Sequence, residues 1–195
     1  MYYHASNVPD IKVLEPQISN HNVPLIYFSK KRENVLVYLS NAVEKYCRES
    51  GFHYNGKWHK WASYGFDADG KLVFDEYYPD ALEDTYKGVS GYIYYADNIY
   101  ENKMNISISN AVVTSVPVCV NYYEFIADAY EEILKAERDG LIKIRRYEDL
   151  NNDMLCWIEK TIRQEYLMAD YSPDYQHFLK AKFSFLNYDK TKKVD

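Results

Sequence analysis

The chain has 195 residues, long enough for one domain with a substantial core, and its 47% hydrophobic and 27% charged residues are a globular rather than a disordered balance. A net charge of -6 argues against a general electrostatic grip on nucleic acid, which needs a basic face. No run approaches the ~20 apolar residues that span a bilayer, and no basic stretch followed by a long apolar run opens the chain. Cys47, Cys119 and Cys156 are odd in number and widely spaced, with no Cys-x-x-Cys pair for zinc, so we expect reduced thiols in a cytoplasmic protein.

Residues 2–6 suit a short strand, and 7–21, with Pro9, Pro16 and several Asn, suit a loop with one extended piece at 11–14. Leu25-Ile26-Tyr27-Phe28 is an uncharged β-branched and aromatic run, the pattern of a buried strand. Ser29 follows as a cap, and the apolar positions Val35, Leu36, Tyr38, Leu39, Ala42, Val43, Tyr46 and Cys47 predict one amphipathic helix over 32–48, closed by Gly51. The segment 58–77 reads as a hairpin turning at Asp67-Ala68-Asp69-Gly70. A short helix is expected over 80–86, a strand over 91–96, and two short strands parted by Pro117 within 106–120. Asn121 with Glu124 makes a capping-box pattern and predicts a helix carrying Phe125, Ile126, Ala129, Tyr130, Ile133 and Leu134 on one face. A strand over 141–146 and two helices follow, the first capped at Asn151 or Asn152 and the second opened by Ser172-Pro173. This order lacks βαβ alternation. It predicts an α+β domain over 1–188, with two small, mainly antiparallel sheets, flanking helices and a C-terminal helical group; 189–195 is a charged, frayed tail.

Several side chains carry candidate chemistry. Tyr27 sits mid-strand, and Tyr38 lies eleven residues on, about three turns at ~3.6 residues per turn, so a helix folded over the strand's end could bring both phenols to one cleft. His4 on a short apolar strand is ordinarily satisfied by a backbone carbonyl. His21 reads as loop surface. His53 and His59 with Asp67 or Asp69 would make a metal site, but the six-residue spacing fits no regular element, and Asp67 and Asp69 are better explained by turn chemistry; no metal is expected. Trp58 and Trp61 could line a pocket or pack in a satellite core. No Gly-rich phosphate loop, nucleophile elbow or His-Glu-x-x-His pattern occurs.

The order of three short motifs resembles the nicotinamide-binding half of ADP-ribosyltransferases of the poly(ADP-ribose) polymerase and rifamycin-modifying types. Where those carry His-Gly-Ser or His-Gly-Thr, this chain has His4-Ala5-Ser6; where they carry Gly-Ile-Tyr-Phe-Ala, it has Leu25-Ile26-Tyr27-Phe28-Ser29; Tyr38 falls at the spacing of their second tyrosine, and Lys45-Tyr46-Cys47 echoes their Asn-Tyr-Cys. The resemblance covers about the first quarter of the chain and implies the transferase-like fold with NAD as substrate. Backbone groups at Ala5 would then hold the carboxamide, with Ser6 completing the triplet; His4 would bond the ribose, and Tyr27 and Tyr38 would sandwich the ring, whose positive charge the phenol faces attract. The late-strand glutamate of the family has Ala111 in its place, in Asn110-Ala111-Val112-Val113. An alanine cannot stabilise developing positive charge, and losing such a group costs about 10²- to 10³-fold in rate. Glu76, Asp97 and Glu101 are the carboxylates that neighbouring segments could supply instead. Three functions follow: a transferase with a displaced acid; a module binding NAD, ADP-ribose or a protein partner without transfer; or an enzyme like the RNA 2'-phosphotransferases, which needs arginines in the cleft, where Arg32 is the early candidate.

Overall fold

Alternating tyrosine-rich strands build the principal sheet. The computed structural model describes residues 1–18, 23–56, 63–100 and 108–187. In chain order these form β1 (Tyr2–Ser6), β2 (Val13–Leu14), β3 (Gln17–Ile18), β4 (Pro24–Ser29), a 3-10 helix (Arg32–Tyr38), α1 (Ala42–Ser50), β5 (Tyr64–Phe66), β6 (Leu72–Asp75) and α2 (Ala81–Tyr86). There follow β7 (Gly91–Ala96), β8 (Ala111–Thr114), β9 (Val118–Cys119), β10 (Tyr122–Ile126), α3 (Ala129–Arg138), β11 (Lys143–Arg145), α4 (Asn152–Met168) and α5 (Pro173–Lys182). The protein is α+β.

Among the described residues the main sheet has six strands in the order β10–β7–β1–β4, with β8 and β3 also paired to β4, and every pair is antiparallel. Tyr3 stands opposite Ser29, Ala5 opposite Ile93, and Tyr27 opposite Val113. Facing residues of antiparallel strands share a side and neighbours along a strand take opposite ones. Tyr3, Ala5, Tyr27, Ser29, Ile93 and Tyr95 therefore share one face, and Tyr2, His4, Ile26, Phe28 and Tyr94 the other. The first face is covered by the 3-10 helix through Val35 and Leu36, by Leu39 just after it, and by α3 through Ile133 and Ala136. The second packs Ile26, Phe28 and Tyr94 against Leu14 and Val118 of the small β2–β9 ladder. A further core joins α1, α4 and α5 through Val43, Cys47, Ile162, Phe178 and Leu179.

Two expectations need correcting. The helix predicted over 32–48 is two pieces: Asn34, Val35, Leu36 and Val37 are consecutive and all buried, which no single helical stripe allows, so the run is a 3-10 helix and α1 restarts after Asn41. The helix expected from Asn121 is strand β10 as far as Ile126, and α3 begins only at Ala129. Its cap is Asp128, whose carboxylate accepts from the Tyr130 and Glu131 backbone amides, while Asn121 Oδ1 accepts from the Asp97 N–H. Tyr122-Tyr123-x-Phe125-Ile126 is strand chemistry, and aromatic propensity prevails over the capping pattern. The second sheet, β5–β6–β11, joins its hairpin to a parallel strand, with Ile144 opposite Phe74. The expected hairpin turn is present: Asp67 Oδ1 accepts from the Asp69 and Lys71 amides, and Gly70 takes φ +71°. Trp58, Trp61, His21 and His59 lie outside the described residues.

Gly91 lets the break after the 3-10 helix approach the sheet. A Cβ there would lie 2.6 Å from the Leu39 side chain and 3.1 Å from the Ser6 carbonyl oxygen, with Leu39 fully buried. Gly91→Ala is expected to lose about 1–3 kcal/mol by overpacking, read as a melting temperature lower by roughly 2–4 °C per kcal/mol. An unchanged melting temperature would contradict this packing.

Candidate functional site

Tyr27 and Tyr38 meet. Strand alternation turns Tyr27 to the helix-covered face, and the 3-10 helix carries Tyr38 over it. The hairpin strand β5 adds Tyr64 and Phe66 from the side. Tyr38 and Tyr64 share a hydrogen bond between hydroxyls. Burial first, then the Tyr64 and Tyr27 phenols beside it, push the Tyr38 pKa well above its usual value, and burial raises that of Tyr64, so both phenols stay neutral. Phe28, Ser29, Asn34, Val35, Ile108, Ser109 and Ala111 complete the lining. The space enclosed is about 20 Å³, close to what one water needs.

Asn34 is the unexpected member. It is 5% exposed, and neither its Oδ1 nor its Nδ2 has a hydrogen-bond partner. Its backbone N–H donates to the Lys31 carbonyl at 3.3 Å, so the main chain of the turn is provided for without the side chain. A lone amide beside the apolar run Val35 to Val37 is a signal visible in the sequence, once that run is seen to be buried on all sides. Tyr64 carries no such signal, since only the folding of a distant hairpin brings it here.

His4 does not join them. Its ring lies on the other face of the sheet, opposite Tyr94 in register and 5.8 Å from the Phe28 ring, and Nδ1 is 2.9 Å from the Tyr27 carbonyl oxygen. A carbonyl only accepts, so Nδ1 carries the proton. The slot expected to be shared by His4, Tyr27 and Tyr38 thus reduces to the two tyrosines, because residues 3 and 5 of β1, not residue 4, share the side of Tyr27. Ala5 is buried on the cleft's face of the sheet, in the core that Tyr38 and Tyr64 pack against, without lining the cleft itself. Ser6 accepts through its hydroxyl from the Val8 amide.

Ala111 stands opposite Ser29 and lines the cleft, so the position where the resemblance asks for a carboxylate is beside the phenols and holds a methyl group. Glu76 does not replace it. Its carboxylate is buried, accepting from the Leu82 and Tyr147 backbone amides, where it ties α2 to the segment after β11. Asp97 is exposed at the end of β7 and does not line the cleft; Glu101 lies outside the described residues. Arg32 is also committed. Its guanidinium makes two hydrogen bonds to Glu124, at 2.9 and 2.7 Å, and one to Glu132 at 3.1 Å, which raise its pKa and hold that of Glu124 below the usual carboxylate range. Tyr95 donates to the same Glu124 at 2.7 Å, and its pKa is pushed up to about 12 by burial and that carboxylate. Arg32 is thus not offered to a phosphate.

Among the described residues no group of three or more His, Cys, Asp or Glu converges as for a metal ion; His53 is exposed and Asp67 is paired with Lys143 at 2.6 Å. No helix of the described residues is long and apolar enough to cross a membrane. No family model matches the chain, and no curated protein or solved structure matches it.

Burial lowers the His4 pKa, partly offset by the bond to Tyr27. A base whose folded pKa is depressed contributes full stability above its unfolded value of ~6.5 and loses it as pH falls through that value. Melting temperatures of the wild type and of His4→Asn, which keeps a donor near the Nδ1 position, should therefore diverge between about pH 7 and 5, the wild type falling faster. Parallel curves would show that His4 is not buried neutral.

Proposed function

We propose that the chain is a binding protein for a flat aromatic ring, with the nicotinamide end of NAD as the ligand class, on a fold related to the ADP-ribosyltransferases. The observation that carries this reading is the meeting of Tyr27 and Tyr38, eleven residues apart, with Tyr64 in one cleft floored by a buried amide. Neutral phenols offer π-faces to a cationic pyridine ring, and their hydroxyls supply edge contacts. Binding without transfer is the form of the reading that fits the lining, since none of the described residues around the cleft carries a carboxylate to stabilise an oxocarbenium-like charge. His4 is not needed for it. The phosphotransferase reading has no support from Arg32, whose charge is met by two carboxylates.

A ring is larger than the space now enclosed, so the rings must part to admit it. A ligand that binds only the folded state stabilises it by about 2.7 kcal/mol at a hundredfold excess over Kd, or roughly 5–10 °C for a chain of this size. NAD or nicotinamide should raise the melting temperature of the wild type, and Tyr38→Ala should lose the shift. Nicotinamide release from NAD should stay at the uncatalysed rate. No shift at millimolar ligand removes the reading, and steady release of nicotinamide replaces binding with catalysis.

A further inference from the structure

Asn34 is placed where an apolar side chain would serve the fold better. It stands among Val35 and the rings of Tyr27, Tyr38, Tyr64 and Phe66, with both ends of its amide unpaired. A buried amide without partners carries a desolvation penalty that a hydrocarbon of the same size would not. Its polarity is also two-sided: an acceptor and a donor lie side by side in one plane. The group that meets both ends at once is another planar amide, giving an N–H to Oδ1 and taking one from Nδ2. A carboxylate meets only Nδ2 and sets its charge against Oδ1, in a lining whose described residues include no cation.

We propose that Asn34 is the specificity-determining residue of the cleft, reading a neutral carboxamide on the bound ring and rejecting the corresponding carboxylate. The inference rests on the ring-binding reading above and goes beyond it by fixing the ring's substituent: nicotinamide and benzamide are accepted, nicotinate and benzoate refused. The competing account is a structural amide, held by one ordered water in the space of about 20 Å³. The two accounts differ in the sign of a single measurement. Replacing a structural amide lowers stability, whereas replacing an amide held unpaired for a ligand raises it.

The experiment uses the full chain. Wild type and Asn34→Leu are titrated calorimetrically with nicotinamide, nicotinate, benzamide and benzoate, and both are melted without added ligand. A site built around a hydrogen-bonding pair discriminates steeply against an analogue that leaves it unpaired. The wild type is therefore expected to bind each carboxamide at least about a hundredfold tighter than its acid. Asn34→Leu is expected to melt about 2–4 °C higher and to lose most of the amide preference. Two results overturn the inference while leaving the ring-binding reading intact: a wild type that takes acid and amide equally, or an Asn34→Leu protein that melts lower or fails to fold. Absence of binding by all four compounds removes the ring-binding reading and the inference with it.

Discussion

The ladder position that sets Tyr3 opposite Ser29 governs which side chains can meet. Once β1 and β4 are locked in that register, period-two alternation sends Tyr27 and Ala5 to one side of the sheet and His4 and Phe28 to the other. A slip of one residue would exchange both sets. The register is held from both sides, because the face of Ala5 and Ile93 is sealed by the 3-10 helix and α3, and that of Phe28 and Tyr94 by the β2–β9 ladder. His4 Nδ1 adds a direct tie to the Tyr27 carbonyl. The cleft and the histidine are thus back to back, sharing a backbone on opposite faces of the sheet.

The segment over the cleft is tied to two other elements at its start. Arg32 opens the 3-10 helix and binds Glu124 on β10 and Glu132 on α3, with Tyr95 completing the network. These charges are partly exposed, so their worth lies in orientation more than in energy. The fork geometry of a guanidinium against a carboxylate fixes the direction in which the turn leaves β4. Asn34, two residues on, and Tyr38, six residues on, are aimed by that direction. The same commitment occupies the Arg32 guanidinium with two carboxylates.

Much of the fold was legible in the sequence because local chemistry and tertiary context agree there. The strand before Ser29, the Asp67–Gly70 turn, the strand at Gly91–Ala96, the Asn151 cap and the Ser172-Pro173 helix start all follow from residues close in sequence. The misreadings occur where two local signals compete. Val35 to Val37 fits a helical stripe only if one side is wet, and here none is. Asn121 and Glu124 spell a capping box, but the tyrosines beside them pair with β7. In the cleft, Tyr27 and Tyr38 lie together as the eleven-residue spacing allowed, with a 3-10 helix in place of the expected α-helix. Tyr64 depends on a hairpin docking from a distance, and the turning away of His4 depends on inter-strand register, which no short motif encodes.

The cleft's own lining occupies much of the volume a guest would need. With about 20 Å³ between the rings, a molecule of the proposed class would meet a shut door, and its entry would wait on the phenols swinging apart. Association would then be paced by that opening rather than by diffusion, and the apparent affinity reduced by the fraction of time the site stands open. Trimming Tyr38 would consequently remove a contact and an obstruction together, and the loss expected of Tyr38→Ala requires the contact to be the larger of the two.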